Sequence, residues 1–216
     1  MKIATRKAQQ GFTLVEIAVV LVIIGLLLGG VLKGQELINS AKAKSLVQEF
    51  RAVSTMVYSY QDRFRFLPGD DPSVVNHVNG TKASTATQTQ GDGRIEGAWN
   101  SATVTDESYL FWQHVRLANL ASGATKTDAT DYLPLNAENG PLGITSTAPK
   151  GLSGNFFICS GNLSGRFARQ LDTTMDDGAT DTGTVRTYEK DKTGEDAQAL
   201  DSTHDGNSGY VVCAAY

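Results

Sequence analysis

Residues 12–32, FTLVEIAVVLVIIGLLLGGVL, decide how the chain is organised. Sixteen of these 21 residues are Ala, Val, Ile, Leu or Phe and the one charge is Glu16. A helix over them is apolar on every side and about 30 Å long, the thickness of a bilayer's hydrocarbon core. A helix buried in a globular core normally keeps a polar stripe, which this run lacks. A secretory signal peptide has a shorter apolar core and a small-x-small site before a polar mature start, and neither is present. A membrane anchor accounts for the length, and the basic head of Lys2, Arg6 and Lys7 predicts a cytoplasmic N-terminus. Glu16 is what a plain anchor does not need, because a carboxylate just inside an apolar segment is costly unless it is paired or reaches the interface.

The residues around that carboxylate are Gln10-Gly11-Phe12-Thr13-Leu14-Val15-Glu16. With a basic leader before them and the apolar run after, they resemble the processing and methylation motif of type IV prepilins and type II secretion pseudopilins. The resemblance implies that a membrane-bound prepilin peptidase cuts after Gly11 and methylates the new amine of Phe12. It also makes Glu16 the family's assembly acid, the charge partner of the Phe12 amine on a neighbouring subunit. The implied partners are the prepilin peptidase, other pilin or pseudopilin subunits in a homo- or hetero-polymer, and an inner-membrane assembly platform. The implied location is the bacterial inner membrane, leader cytoplasmic and head periplasmic, and then a pilus or pseudopilus fibre. The chemistry of the residues suits these roles: Gly11 has no Cβ to obstruct a protease cleft, and a charge pair gains strength at low dielectric.

Beyond Leu32 the pattern becomes one-sided. Leu46, Phe50, Val53, Val57, Tyr60 and Phe64 recur at spacings of three or four, with Lys42, Lys44, Glu49, Arg51, Asp62 and Arg63 among them. No proline precedes Pro68-Gly69, which supplies a stop. One helix from Phe12 to Phe66, about 80 Å long, is expected. Gly25 and Gly29 fit a small-xxx-small pattern, and equally the ordinary tolerance of membrane helices for glycine. Lys33-Gly34 is the weakest point of the helix.

The remainder is turn-rich from 69 to 105, with a helix expected over Glu107–Leu120 and strands at Asn155–Cys159, Thr184–Tyr188 and Tyr210–Ala215. The fold class is therefore α+β: a long N-terminal helix packed against a small antiparallel sheet, as in type IV pilins. The expected segments are a leader at 1–11, a membrane and polymerisation helix at 12–32, an amphipathic stem at 33–67 and a head at 68–216. Segments such as YQDRFRFLPGDDP at 60–72 and WQHVRLA at 112–118 look like a recurrent head pattern among prepilin-like proteins. Cys159 and Cys213 both follow the membrane run, so an oxidising compartment permits one disulfide between them. Two free thiols are the alternative. The pairing would tie the C-terminus to the sheet, as the C-terminal disulfide region of many type IV pilins does.

Charge and composition narrow the function. The formal net charge of -4 is carried by the head, since residues 66–216 hold 10 basic and 19 acidic side chains. That field is opposite to the one a bulk nucleic-acid binder needs. His77, His114 and His204 show no metalloprotease spacing, and Gly161-Asn-Leu-Ser-Gly165 is a turn, not a nucleophile elbow. His114 reads as structural or solvated. No catalytic role, cofactor or metal ligand set is expected. Asp70-Asp71, the group Asp172, Asp176, Asp177 and Asp181, and the pair Asp201 and Asp205 read as turns and solvated acidic surface. The alternative is a calcium ion, which the resemblance implies because major type II pseudopilins bind one in the head, though EF-hand spacing is absent and the resemblance supplies no residue-by-residue match. The function expected is that of a structural subunit of a type IV pilus or type II secretion pseudopilus. A minor tip pilin that binds a surface, DNA or a secreted substrate is the alternative, for which a basic cluster such as Arg166 with Arg169 would be the mark.

Overall fold

Nineteen exposed residues of low polarity and then a one-sided apolar stripe follow each other in one helix, α1 (Leu14–Phe64). The structure, a computed structural model, describes residues 13–84, 89–190 and 192–216. The chain divides into two units at Ala41/Lys42. In the first, every residue from 13 to 33 is exposed. In the second, Ala43, Leu46, Val47, Phe50, Val53, Val57 and Tyr60 of α1 are buried, which is the expected stem face with Ala43 and Val47 added and Phe64 only half-buried.

The helix stops earlier than the proline predicts. Arg65 takes the left-handed conformation at φ 67°, so the last turn is closed there and not at Pro68-Gly69. Gly69 has its own reason to lack a side chain: at φ +100° a Cβ would overlap the carbonyl oxygen of Glu107.

Among the described residues, two further helices precede the sheet. The short α2 (Val74–Val78) ends at left-handed Asn79, and α3 (Glu107–Leu117) is buried along almost all its length. Helix α3 stops before the predicted Leu120, because Asn119 turns left-handed at φ 59°. Four strands follow: β1 (Leu142–Thr145), β2 (Phe157–Leu163), β3 (Val185–Tyr188) and β4 (Tyr210–Ala215), with α4 (Gly165–Met175) between β2 and β3. All pairs are antiparallel and the order is β1-β2-β4-β3. The C-terminal strand thus lies inside the sheet, flanked by β2 and β3.

The pleat sorts side chains between two cores. Ile144, Ile158, Val185, Val212 and Ala214 share one core with the stem face, Phe111, Trp112 and Val115. Phe157, Cys159, Tyr188, Val211 and Cys213 point the other way and meet Trp99 and Leu152. The connection before β1 is pinned to the stem. Lys42 Nζ meets Glu138 Oε1 at 2.7 Å, and the Ala137 amide donates to Glu49 Oε1 at 3.1 Å. Inside that connection Asn136 accepts from the Glu138 and Gly140 amides and donates to Ser160 Oγ and the Gly161 carbonyl. The C-terminus is held in turn by the Asn155 amide, which donates to the Tyr216 carbonyl at 2.7 Å, and by stacking of Tyr216 on Phe156.

Two elements depart from the sequence reading. The segment at 161–165 is not a simple turn: β2 runs through it with an irregularity at Asn162, and α4 begins at Gly165. Strand β1 was not expected, and its Gly143 is there because a Cβ would collide with the Trp99 carbonyl.

Cys159 faces Cys213 across β2 and β4, and the two are joined in a disulfide spanning 54 residues. Both side chains are fully buried. The native protein should therefore resist alkylation at both cysteines and be labelled only after reduction and unfolding. The double Cys159→Ala, Cys213→Ala variant should lose about 2–5 kcal/mol of stability, the loss typical when a native disulfide is removed. Quantitative labelling of folded, unreduced protein would contradict this arrangement.

Candidate functional site

Gly11 and Phe12, the expected processing pair, lie outside the described residues. The structure begins to speak at Thr13 and Glu16. The Thr13 amide donates to Glu16 Oε2 at 2.8 Å, Thr13 Oγ1 donates to the same oxygen at 2.7 Å, and the Glu16 amide donates back to Thr13 Oγ1 at 3.3 Å. This reciprocal pattern is a capping box, in which threonine and the acid three residues later satisfy each other's orphan amides at a helix start. The T-x-x-E spacing could have announced it from the sequence. Glu16 thus has a local partner within a single chain.

From Ile17 to Leu32, downstream of this cap, the helix carries no polar side chain, with Leu21 63%, Leu26 73% and Leu32 67% exposed. An 18-residue stretch of it has a mean hydropathy of 2.8 and no burial, long and apolar enough to cross a membrane. A surface of this kind fits a membrane-anchored protein. Lys33 and Glu36 pair at 2.7 Å beyond it, both exposed.

Residues 6–32 match the family described as Prokaryotic N-terminal methylation motif, the signature of type IV prepilins. The chain therefore carries a prepilin-type N-terminus ahead of an α+β head whose long helix and four-stranded antiparallel sheet are consistent with a type IV pilin-like fold. No curated protein and no solved structure matches the chain.

Several acidic groups of the head are not the solvated surface that the sequence suggested. Asp70, Asp71 and Asp172 are all fully buried. Asp71 accepts from Tyr60 Oη at 2.7 Å and from the Ser73 amide, and its Oδ2 lies 2.7 Å from His77 Nδ1. This draws α1, the following turn and α2 together, and burial with the Asp71 contact pushes the Tyr60 hydroxyl far up from its ordinary value. Of the two roles expected for His114, the structure shows the structural one. The ring is buried, accepts from the Gly69 amide through Nδ1 and reaches the Thr81 carbonyl through Nε2 at 2.8 Å, so it is the neutral tautomer with a proton on Nε2. Burial pushes its pKa down to about 4.

The remaining suspects are engaged locally. Asp201 caps a short 3₁₀ turn at Ser202–His204, and its bonds to Thr203 and His204 hold it down to about 2. Asp205 lies 3.4 Å from Arg169 Nε. Arg166 and Arg169 do line one open cleft of about 670 Å³ together with Thr173, Thr174 and Asp205. The basic pair is thus brought together, with an acid set against it. Among the described residues, no group of three or more His, Cys, Asp or Glu side chains is placed to hold a metal ion.

Asp172 stands apart, because neither of its carboxylate oxygens makes a well-formed hydrogen bond. Burial, only partly offset by the Gly178 amide, and the charges of Asp177, Asp176 and Asp181 raise it to about 6. A carboxyl whose folded pKa exceeds its unfolded one costs stability as pH rises through that window, here from about 4 to about 6. The stability difference between Asp172→Asn and the unchanged protein should move in the variant's favour by about 1–3 kcal/mol from pH 4 to pH 7.5. Urea unfolding of the two proteins across that range checks this, and parallel stability curves would contradict it.

Proposed function

We propose that the protein is a non-catalytic structural subunit of a type IV pilus or type II secretion pseudopilus. In this reading prepilin peptidase removes residues 1–11 and methylates Phe12. The subunit waits in the inner membrane with its head in the periplasm and then enters a fibre through its N-terminal helix. One observation carries the reading: a methylation motif over residues 6–32 opens a helix whose residues 14–33 are all exposed. A lipid bilayer holds such a surface in the waiting state, and the helices of neighbouring subunits hold it in the fibre. The acidic head and its disulfide suit an extracytoplasmic setting. The minor-tip alternative draws only on the Arg166 cleft, where Asp205 already pairs with Arg169.

Processing has a direct readout. Intact-mass and N-terminal peptide mass spectrometry of membrane-extracted protein should find methylated Phe12 and no trace of Lys2, Arg6 or Lys7. An intact leader in cells with an active prepilin peptidase would contradict the proposal.

The capping box sharpens the test of Glu16. Glu16→Gln keeps an oxygen for the Thr13 amide and removes the charge, whereas Glu16→Ala removes both. If pairing with the Phe12 amine of a neighbour drives assembly, both variants should lose polymer while being cleaved normally and keeping a folded head. Sheared or cross-linked polymer, compared with membrane-held monomer at equal expression, gives the answer. Normal polymer from Glu16→Gln with loss only in Glu16→Ala would assign the residue to helix capping instead.

A further inference from the structure

Helix α4 is charged against its own dipole. Its first turn holds Arg166 and no acid, and it ends at Asp176, followed by Asp177 and Asp181, with no base in the last turn. A helix by itself favours the opposite placement, acids at the start and bases at the end. Local stability therefore does not account for these charges. Arg166 and Asp177 are exposed, and Asp181 is half-buried. Among the described residues, no carboxylate pairs with Arg166, and no lysine, arginine or histidine pairs with Asp176, Asp177 or Asp181. Elsewhere in the head such charges are matched: Glu138, Glu189, Glu195 and Asp196 each pair with a lysine.

The unmatched charges of both signs border one cleft. Arg166, Arg169, Gln170, Thr173 and Thr174 are spaced by three and four along α4, so they form a single face, and that face lines the open cleft of about 670 Å³. Gly178, between Asp177 and Asp181, lines it as well, so a basic mouth and an acidic lip stand at opposite ends of about 16 Å of helix. Asp205 does not close the basic end. It lies 3.4 Å from Arg169 Nε, and neither that nitrogen nor Asp205 Oδ1 makes a well-formed hydrogen bond. Leu200 is the only large apolar side chain among the described residues of the lining, so the cleft recognises by charge and hydrogen bonds. At the acidic end Asp172, raised first by burial, is raised further by Asp177, Asp176 and Asp181. A cation brought to that lip from outside relieves a repulsion that the chain leaves unrelieved. The two halves of a complementary pair thus sit on one chain without meeting each other. Such a surface fits a second copy head to tail, and a heterologous contact of this kind propagates along an open filament.

We propose that the acidic turn of one subunit, with Asp177 and Asp181, docks into the Arg166 end of the α4 cleft on the next copy of this chain. The heads then carry a contact of their own, which sets their register by charge. This rests on the polymer reading above and adds to it an interface separate from the N-terminal helix.

The test uses the full chain in cells, on membranes and on sheared polymer. Arg166→Lys keeps the charge and supplies an amine for zero-length carbodiimide cross-linking. Dimers and larger species should carry a peptide link from position 166 to Asp177 or Asp181 that the monomer band lacks. Arg166→Glu should lower polymer about tenfold, because like charges then face each other, and the double variant Arg166→Glu, Asp181→Lys should recover roughly half of it or more. Asp181 is the position to exchange, since Asp176 and Asp177 hold amides of the turn. Resistance of both cysteines to alkylation reports a folded head in each variant. Photo-crosslinking from Val19 in the same cells reports the helix contact independently. A Val19 ladder together with unchanged polymer in Arg166→Glu would overturn the head contact and leave the polymer reading standing. Loss without recovery in the double variant, or a link from position 166 found only within monomers or only to a different protein, would overturn it too. Absence of both ladder and polymer from the unchanged protein would overturn the two readings together.

Discussion

Everything in the head depends on burying one face of the helix segment Lys42–Phe64. Leu46, Phe50, Val57 and Tyr60 are fully buried there, and they form one core with α3 and with the inward-facing residues of all four strands except those that meet Trp99. Each large side chain so placed contributes about 1.5–3 kcal/mol relative to exposure. The sheet alone is too small to hold itself together, and the helix segment alone has a stripe that water disfavours. Their union solves both problems, and the Lys42–Glu138 and Glu49–Ala137 contacts add direction to it. In the same helix, residues 14–33 are all exposed. One element therefore carries two opposite surfaces, a stripe buried in the head and an apolar run that is open and fits a membrane-anchored protein.

Polar groups then fix what hydrophobic burial leaves loose. Tyr60, Asp71 and His77 tie the end of the stem to α2, and His114 ties α3 to Gly69 and Thr81. Asn136 satisfies four groups in the loop before β1. In a low-dielectric interior such contacts are costly to lose, because a broken one leaves a desolvated partner. The carboxylates of Asp172 and Glu107 are among the exceptions, as are Glu49, Gln90 and Thr187, each with at least one side-chain polar atom left without a well-formed bond. Such sites are where a proton exerts leverage on the fold.

Much of the architecture was legible because its signals were periodic. The all-round apolar run, the three-and-four spacing of Leu46 to Tyr60 and the prepilin motif are dense, local patterns, and β3 and β4 appeared where β-branched and aromatic residues stood between turn residues. What escaped lacked a period. Strand β1 is four residues long with Gly143 inside it, and its identity comes from a close approach to Trp99 that only folding creates. Helix α4 is polar and rich in threonine, and its apolar residues Phe167, Ala168 and Leu171 are too few to outweigh the turn signal of Gly161–Gly165. The burial of Asp70 and Asp71 was hidden for a related reason: aspartates between Gly and Pro look like a solvated turn until Tyr60, Gly91 and Gly93 are brought to them. At the N-terminus the T-x-x-E capping spacing is legible, but it is overlaid on an apolar run in which the lone charge of Glu16 is the stronger signal.

The central claim is that the uncovered half of α1 is a polymerisation surface. Photo-crosslinking from an unnatural amino acid at Val19, which is 52% exposed, measures this in intact cells. The account predicts a ladder of cross-linked multimers that contain this chain or its fellow subunits, present only when prepilin peptidase is active. A single monomeric band, or the same adducts with and without the peptidase, would contradict it and leave residues 13–33 as a membrane anchor alone.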